Sequence, residues 1–263
     1  MNIVIIGATG VIGARLVGTL RDHGHETIPA SRATGVNILT GEGLPELLDG
    51  ADVVVDVSNS RSFDAELART FFQTATFNLL EAEALAGVGH HIALSAVGTE
   101  RLQSSGYFRA KLAQEALIRE SGIPYSLVHA TQSYEFLISI ADQATVEHTV
   151  RLPSVLFQPI AADDVARAVG RVAVRPPVNG IIEVAGPEEL RLDERVHEAL
   201  LARNDPRVVV TDPDAPYFGS QLGERTLLPD DGAHLGEITF DEWQAQVDDL
   251  AGKPPRQSAA RMQ

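Results

Sequence analysis

Tyr107 and Lys111 are the residues whose types and spacing best suit proton transfer. They stand four positions apart in the stretch "YFRAK", so on a helix both side chains lie on one face. A free tyrosine has a pKa near ~10, and a neighbouring ammonium group favours the phenolate and lowers that pKa. A phenol tuned in this way can give its proton to a carbonyl oxygen while the carbonyl carbon receives a hydride. The alternative interpretation is an ordinary pair of residues on a helix surface.

Ser95 is the third candidate for this chemistry. It lies at the end of the apolar stretch "HHIALSA", 12 residues before Tyr107. That interval is long enough for the end of a strand, a loop and the start of the next helix. A hydroxyl group at the strand end can donate a hydrogen bond to the same carbonyl oxygen. We therefore predict three catalytic residues, Ser95, Tyr107 and Lys111.

A glycine-rich turn near the start of the chain predicts a dinucleotide site. The stretch "GATGVIG" lies between an apolar strand and an amphipathic helix. Glycine allows a tight turn and a close approach of the main chain to a pyrophosphate, and the helix N-terminus adds free N–H groups and a positive dipole end. A glycine turn that binds nothing is the alternative. The predicted cofactor contacts in this turn are Gly7, Thr9, Gly10, Val11, Ile12 and Gly13.

The residues after the second strand bear on the choice of cofactor. An Asp or Glu at the end of that strand usually binds the ribose 2′-hydroxyl of NAD, whereas a 2′-phosphate needs a cation. Here the strand "HETIPASR" ends in Ser31 and Arg32, with no carboxylate. A guanidinium group can bind phosphate oxygens in a forked geometry. We predict that Ser31 and Arg32 contact the cofactor and that NADP(H) is preferred, with NAD(H) as the alternative; Arg32 as a solvated loop residue is the competing interpretation.

The order of apolar and amphipathic segments predicts the fold class. Short apolar runs alternate with helical patterns in the first half of the chain, which is typical of parallel βαβ units. We expect an α/β fold, a Rossmann-like doubly wound parallel sheet with a small C-terminal α+β substrate lobe. Only residues 33–35 separate the second strand from a possible short strand at Val36-Asn37-Ile38. That is too short for the usual crossover helix, so an irregular excursion is expected there. The predicted helices cover 11–23, 64–85, 107–121, 161–174, 192–203 and 240–250.

We interpret the chain, 1–263, as a single domain. Residues 1–130 are expected to form mainly the cofactor core, residues 131–251 to contribute the substrate lobe, and residues 252–263 to form a flexible tail. Asp163 or Asp164 is expected to cap the helix at 161–174. Trp243 is expected to anchor the lobe.

Composition and charge exclude several classes of function. The chain has 263 residues with 36 acidic and 21 basic side chains, a net charge of -15, which argues against binding to nucleic acid or to an anionic membrane. The absence of cysteine excludes disulfides, thiolate catalysis and sulfur-ligated metals. No metal site is predicted, since His90 and His91 open a strand and point to opposite faces. No signal peptide or membrane span is predicted, so the expected location is cytoplasmic.

The glycine turn and the Ser–Tyr-x-x-x-Lys series together resemble the short-chain dehydrogenase/reductase superfamily. The stretches "VVVDVSN", "GYFRAKLAQEALIRESGIPYSLVHATQSYEF" and "FQPIAADDVARAV" are similar to its atypical, NmrA-like group over about residues 1–200. The resemblance implies an NAD(P)-dependent oxidoreductase in which Lys111 also binds the nicotinamide ribose. The missing helix after Arg32 departs from the family pattern. Further cofactor contacts that the resemblance implies are Val57, Ser58 and Asn59 on the ribose path and Ala130 and Thr131 beside the nicotinamide.

Aromatic residues in the second half predict a planar, apolar substrate. They occur in "TQSYEFL" and "PYFGSQL", and such groups suit a quinone or an aromatic ketone. Core packing is the alternative for each aromatic residue. Reductases similar to this chain include quinone reducers and tailoring enzymes of aromatic polyketide pathways, and a hydroquinone product can react with O2 in a later hydroxylation. The predicted substrate contacts are Gln132, Tyr134, Phe136, Tyr217 and Phe218.

Three functions remain open from the sequence. The first is an NAD(P)H-dependent reductase of a carbonyl or quinone. The second is a redox-sensing regulator that binds NADP(H) and a protein partner without turnover; the retained Tyr107 and Lys111 argue against it. The third is a sugar-nucleotide epimerase, for which the C-terminal lobe is short. The expected partner is a small molecule, and the chain is a monomer or a homo-oligomer. Asn78 is either a fourth catalytic residue or a polar residue in helix packing.

Overall fold

The computed structural model describes residues 1–250, and the tail predicted over 252–263 lies outside the described residues. Numbered in chain order, the strands are β1 (Asn2–Ile6), β2 (Glu26–Ala30), β3 (Val53–Asp56), β4 (His90–Ala96), β5 (Tyr125–Ala130), β6 (Thr145–Val146), β7 (Thr149–Leu152), β8 (Leu156–Phe157), β9 (Gly180–Ala185), β10 (Leu190–Arg191), β11 (Val208–Thr211) and β12 (His234–Leu235). The α-helices are α1 (Val11–Asp22), α2 (Leu44–Leu48), α3 (Ala65–Ala86), α4 (Gly106–Glu120), α5 (Leu137–Gln143), α6 (Ala162–Ala173), α7 (Leu192–Ala202) and α8 (Phe240–Leu250).

Seven parallel strands form the central sheet, in the order β12-β9-β5-β4-β3-β1-β2. The chain runs from β1 outward to β2 and then returns to the other side of β1 to form β3. This reversal creates a topological switch point at the carboxyl ends of β1 and β3, where open α/β sheets bind ligands. The Rossmann-like fold class predicted from the sequence is confirmed.

Helices cover both faces of this sheet. Helix α1 packs against α6 on one face, and α3 packs against α4 on the other. Because both faces are covered, the central strands are apolar at consecutive positions. In β1, Ile3 and Ile5 belong to the core under α1 and α6, while Val4 and Ile6 belong to the core of the opposite face.

The segment between β2 and β3 is irregular, as expected. A single 3₁₀ turn at Arg32–Thr34 follows β2, then come turns and the five-residue helix α2. Strand β2 is an edge strand of the sheet, which explains how Pro29, paired with Ile5, is tolerated. An edge position has no further neighbour that would need the missing N–H of proline.

The second half of the chain contributes both to the central sheet and to a separate group of elements. Strands β9 and β12 extend the central sheet. A three-stranded sheet of β11, β7 and β6 and a two-stranded sheet of β10 and β8 lie outside it. Helix α8 places Trp243 in the core of this part, where its indole Nε1 donates to Glu135 at 3.1 Å.

The N-terminus of α6 is not capped as the sequence predicts. Asp163 and Asp164 lie inside the first turn, and neither accepts a hydrogen bond from its free N–H groups. Instead, Glu135 accepts from the N–H of Ala162 at 3.1 Å. Asp163 pairs with Arg15 of α1, and Asp164 accepts from the main chain before α8. The cap therefore comes from a residue 27 positions earlier, which helix-end patterns do not reveal.

Candidate active site

A crevice of about 1010 Å³ opens at the carboxyl ends of β1, β3, β4 and β5. Its walls are the glycine turn after β1, the loops after β2 and β3, the ends of β4 and β5, and the start of α4. The crevice therefore lies at the switch point of the sheet. It is large enough for a dinucleotide with a small substrate beside it.

The glycine turn is shaped for close approach of main chain to ligand. Gly7 has a φ of +82°, and a Cβ there would lie 2.9 Å from Ser58 main-chain atoms. Gly10 is the N-cap of α1, and its N–H donates to Gly7. Gly13 does not line the crevice. A Cβ at Gly13 would lie 2.2 Å from the Gly7 oxygen, so Gly13 allows the helix to pack beneath the turn and is not a ligand contact.

Unpartnered polar atoms support a nucleotide in this crevice. The hydroxyl oxygens of Ser31, Ser58 and Thr131 are buried without hydrogen-bond partners, and all three residues line the crevice. Buried polar groups are normally hydrogen-bonded, and ribose and phosphate oxygens could satisfy these three. The residues present therefore fit NAD(P). The remaining predicted cofactor residues that also line the crevice are Gly7, Thr9, Gly10, Val11, Ile12, Arg32, Val57, Asn59, Lys111 and Ala130.

Tyr107 reaches the crevice from the first turn of α4. The phenol is half-buried, and its hydroxyl donates to Asn59 Oδ1 at 2.8 Å. The ring contacts Phe63 and Phe72 edge-on, with ring centroids 5.2 and 5.8 Å away. Burial raises the pKa of Tyr107 to about 12. The phenol is therefore protonated at neutral pH and suited to act as a proton donor.

Lys111 lies one turn further along α4 and is buried. Its ammonium group donates to the Leu94 carbonyl at 2.8 Å and to Gln114 Oε1 at 2.5 Å, and it lies 4.6 Å from the centre of the Phe72 ring. Gln114 in turn donates to Asp56 at 3.2 Å. Burial lowers the pKa of Lys111 to about 8, against the opposing effect of the Asp56 and Glu115 carboxylates.

The expected lowering of the Tyr107 pKa by Lys111 is therefore not found. The ammonium group is bonded to Leu94 and Gln114, and burial raises the phenol pKa to about 12. The two residues share a helix face, as their spacing predicts, but that spacing does not determine the direction of a long lysine side chain.

Ser95 lines the crevice, but its hydroxyl points into the protein. It donates to the buried Glu115 Oε1 at 2.6 Å. His129 Nε2 lies 3.0 Å from the same carboxylate oxygen, and Arg119 donates to the other at 2.9 Å. Burial opposes ionisation, yet the bonds with His129 and Ser95 and the charge of Arg119 hold the pKa of Glu115 below its usual value. The role of Ser95 as a donor to the substrate carbonyl stays a prediction, and it requires the hydroxyl to give up its bond with Glu115.

The predicted substrate residues divide into two groups. Gln132, Phe136 and Phe218 line the crevice. Tyr134 and Tyr217 do not, and both are 1% exposed. Tyr134 packs against Phe240 and Trp243, and Tyr217 stacks on Phe108 with ring centroids 6.3 Å apart. The two tyrosines are core residues, so their predicted contact with substrate is wrong.

Residues 7–176 match the model of the NAD(P)H-binding family. The chain belongs to this family. The match covers the glycine turn, both catalytic candidates on α4 and helix α6. The match supports the NAD(P)H-binding, oxidoreductase-type family predicted from the sequence.

Known proteins similar to this NAD(P)H-binding chain differ in their functions. Photosystem II assembly factor Ycf39 of Cyanophora paradoxa is 26% identical over 198 residues, which is 68% of this chain and 61% of that protein. The (4-alkanoyl-5-oxo-2,5-dihydrofuran-3-yl)methyl phosphate reductase of Streptomyces griseus is 29% identical over 139 residues, 48% of this chain and 46% of that one. The chain thus covers less than two thirds of these curated relatives.

A solved structure shows the same fold over nearly the whole chain. A short-chain dehydrogenase/reductase superfamily protein from Agrobacterium tumefaciens, with NAD bound, has a TM-score of 0.70 and 16% identity. The similarity covers 96% of this NAD(P)H-binding chain and 97% of that one.

Phe63 is a site residue that the sequence analysis missed. Its ring centroid lies 4.9 Å from that of Phe218 and 5.8 Å from that of Phe136, and the last two rings are nearly parallel at 6.0 Å. These three rings form the aromatic roof, a name used below for Phe63, Phe136 and Phe218. An available signal was the position of Phe63 in the polar run after β3, directly before the helix cap Asp64.

The other polar candidates serve the fold. His90 bonds to Ser126 and His91 to Glu83, both at 2.9 Å, and burial lowers the pKa of His90 to about 4. Asn78 donates to the Ile38 carbonyl, so it ties the irregular segment to α3. Among residues 1–250, no group of three His, Asp or Glu side chains could hold a metal. Within that same range, no helix is both long and apolar enough to cross a bilayer.

Proposed function

We propose that the chain is an NADPH-dependent reductase of a carbonyl or quinone group on an aromatic substrate. The observation that carries this proposal is the position of the Tyr107 hydroxyl. It lies in one crevice between a glycine turn suited to a dinucleotide and the aromatic roof. A proton donor in that place is needed by a reduction and has no role in simple cofactor binding.

The proposed reaction divides the addition of two hydrogens between cofactor and protein. When bound, the reduced nicotinamide supplies a hydride. As the new C–H bond forms, the electron pair of the C=O π bond moves to the oxygen. Tyr107 gives its hydroxyl proton to that oxygen. Tyr107 is left as a phenolate and takes a proton back from solvent before the next turnover. The Lys111 ammonium group adds positive charge one turn away and binds the ribose.

The aromatic roof supports a planar aromatic substrate. Phe136 and Phe218 present nearly parallel ring faces, and Phe63 is tilted against both. Aromatic rings prefer offset-stacked and edge-to-face contacts at such distances. From a quinone this step gives a hydroxydienone, which becomes the hydroquinone when the new C–H hydrogen leaves as a proton and the second carbonyl oxygen gains one. The hydroquinone can react with O2 and so begin a hydroxylation. This chemistry would suit a tailoring step on an aromatic polyketide.

The preference for NADPH over NADH rests on Arg32. Its guanidinium group is exposed at the crevice wall beside Ser31, and no ion pair engages it within residues 1–250. It is therefore available to a 2′-phosphate. Fluorescence titration of the purified chain with both reduced cofactors tests this, and tighter binding of NADH would contradict the preference.

The first experiment combines cofactor, substrate panel and one variant. NADPH oxidation is followed by absorbance with naphthoquinones, anthraquinones and small aliphatic ketones, for the unmodified chain and for Tyr107→Phe. We expect turnover of the ring compounds, with kcat about 10²- to 10⁴-fold lower in the variant. Tyr125→Phe is the matched control, because Tyr125 lies at the opposite end of the sheet, at the start of β5. Turnover of aliphatic ketones alone would contradict the aromatic substrate.

Equal rates for Tyr107→Phe and the unmodified chain would remove Tyr107 from the mechanism while leaving hydride transfer in place. Tight NADPH binding without turnover on any substrate would instead favour a cofactor-sensing regulator. The similarity to an assembly factor over 68% of the chain is the observation that keeps this second function in view.

A further inference from the structure

Asn59, and not Ser95, is the polar side chain that bonds the Tyr107 hydroxyl. The Ser95 hydroxyl is bonded to Glu115 inside the protein. The Asn59 amide does reach Tyr107, with 2.8 Å between Tyr107 Oη and Asn59 Oδ1. Within the described residues, this amide is the one hydrogen-bond partner of the phenol. The reacting hydroxyl is thus paired with an amide from the loop after β3.

The loop that carries Asn59 is fixed by hydrogen bonds to β1 and within the loop itself. The N–H of Val57 donates to the Ile6 carbonyl at 3.1 Å, and the N–H of Ser58 donates to Asp56 Oδ1 at 2.9 Å. Beyond Asn59, Ser60 Oγ donates to the Ser62 carbonyl and accepts from the Ser62 N–H. Bonds on both sides of Asn59 therefore hold its main chain. The loop thus keeps the amide within hydrogen-bond distance of Tyr107 Oη.

We propose that Asn59 is a catalytic residue that binds the Tyr107 oxygen both before and after proton transfer. This proposal rests on the reductase function proposed above. Before transfer, the amide oxygen accepts from the phenol. When substrate binds, the phenol directs its proton to the substrate oxygen and the amide turns, so that its N–H donates to the Tyr107 oxygen. As the O–H bond breaks and the proton joins the substrate oxygen, this N–H stabilises the phenolate. No atom of Asn59 is consumed, and the reducing equivalent is the hydride of the reduced nicotinamide.

An asparagine suits this role because its amide has an acceptor on one side and two donors on the other. Hydrogen bonds to an ionised oxygen are shorter and about twice as strong as neutral ones. Two of the three N–H groups of Lys111 donate to Leu94 and Gln114, and the third is the one assigned to the ribose in the proposed reaction. The Ser95 hydroxyl is likewise engaged by Glu115. The phenolate would therefore be stabilised by Asn59.

Two substitutions of Asn59 distinguish its bond with the neutral phenol from its bond with the phenolate. Asn59→Asp keeps an acceptor for the neutral hydroxyl but cannot donate while ionised, and Asn59→Ala removes both functions. We expect kcat for a naphthoquinone to fall on the order of 10- to 100-fold in each. The activity of Asn59→Asp should rise again as the pH falls and its carboxyl becomes a donor. Because Asn59 also lines the cofactor wall of the crevice, kcat is compared at saturating NADPH, and the dissociation constant for NADPH is measured for each variant. Asn204→Asp adds the same charge on an exposed loop and is the matched control.

A second readout does not depend on turnover. With ¹³Cζ-labelled tyrosine, the Tyr107 signal is assigned by its loss in Tyr107→Phe, and its ionisation is followed at alkaline pH. Ionisation should begin at a lower pH in the unmodified chain than in Asn59→Ala, because only the former can donate to the phenolate. Identical titrations would overturn the role of Asn59, as would kcat values within threefold of the unmodified chain. Absence of turnover in the unmodified chain would contradict the reductase function alone.

Discussion

The two ends of the crevice are lined by different kinds of groups. At the cofactor end the wall is largely main chain, and a Cβ at Gly7 would meet Ser58 at 2.9 Å. At the substrate end the wall is the aromatic roof, whose rings come from the loops after β3 and β5 and from a tight turn in the C-terminal half. Main-chain geometry is set by the fold, whereas ring contacts can change with single substitutions.

The difference indicates how cofactor binding and substrate choice are separated. The cofactor end tolerates little change, because its shape depends on turns and on the absence of side chains. The substrate end depends on three side chains, none of which holds the cofactor turn in place. Tyr107 lies at the junction, bonded to Asn59 of the cofactor wall and packed against Phe63 of the roof. Relatives of one family can therefore share a cofactor site and act on different substrates.

The largest expected effect follows from damage to the cofactor end. In Gly7→Ala the alanine has to adopt a φ of +82°, and its methyl group lies too close to the main chain of Ser58. We expect NADPH affinity to fall at least about tenfold and the free energy of unfolding to fall by roughly 1–3 kcal/mol. Fluorescence titration and urea unfolding measure the two effects.

Gly24→Ala is the matched control for this experiment. Gly24 has a φ of +80°, but nothing lies within 4 Å of an added Cβ. It should lose about 1 kcal/mol of stability from the backbone conformation alone, with unchanged NADPH affinity. Equal NADPH binding by the two variants would mean that the close contact at Gly7 has no role in the cofactor site.

The sequence predicts the cofactor end well because its signals are local. The strand, the glycine turn and the helix N-terminus are contiguous, and each imposes a conformation on its neighbours. The positions of Tyr107 and Lys111 on α4 follow from helical spacing in the same way. What spacing does not predict is the direction of the Lys111 side chain, which depends on the Leu94 carbonyl of β4.

The substrate end is predicted only in part because its contacts are long-range. Tyr134 and Phe136 lie in one 3₁₀ turn, yet one faces the core and the other the crevice. The choice is made by Phe240 and Trp243 of α8, more than 100 residues away. Similarly, the Ser95 hydroxyl is turned inward by Glu115, whose position four residues after Lys111 was a signal for a buried polar group on that helix face.

The pH dependence of the rate tests the residues Tyr107 and Lys111, which lie where the two ends of the crevice meet. The Lys111 pKa is lowered by burial to about 8, while that of Tyr107 is raised to about 12. Below pH 8 the lysine is charged, and above it the charge is lost while the phenol stays protonated. The groups facing the ammonium are Asp56 of β3, Phe72 of α3, Leu94 of β4, and Gln114 and Glu115 of α4. We expect kcat/KM for NADPH, which reports the free enzyme, to fall about tenfold per pH unit above about pH 8.

The variant Lys111→Arg tests whether Lys111 causes the fall of kcat/KM above pH 8, called the basic limb below. A guanidinium group keeps its charge over the whole range, so the variant should be slower at neutral pH but lose the limb. A limb of the same position in both proteins would show that another group titrates there and that the charge of Lys111 is not required.

The smallest expected effect concerns the aromatic roof. Phe63→Ala removes the ring that contacts both Phe136 and Phe218. Aromatic pairs contribute about 0.5–1.5 kcal/mol beyond the area they bury, so KM for a naphthoquinone should rise roughly 2- to 10-fold, with the NADPH dissociation constant unchanged. Phe77→Ala removes a ring that is 52% exposed on α3 and serves as the control. A weakened affinity for NADPH in Phe63→Ala, without a change in the naphthoquinone KM, would show that the two ends of the crevice are not separate.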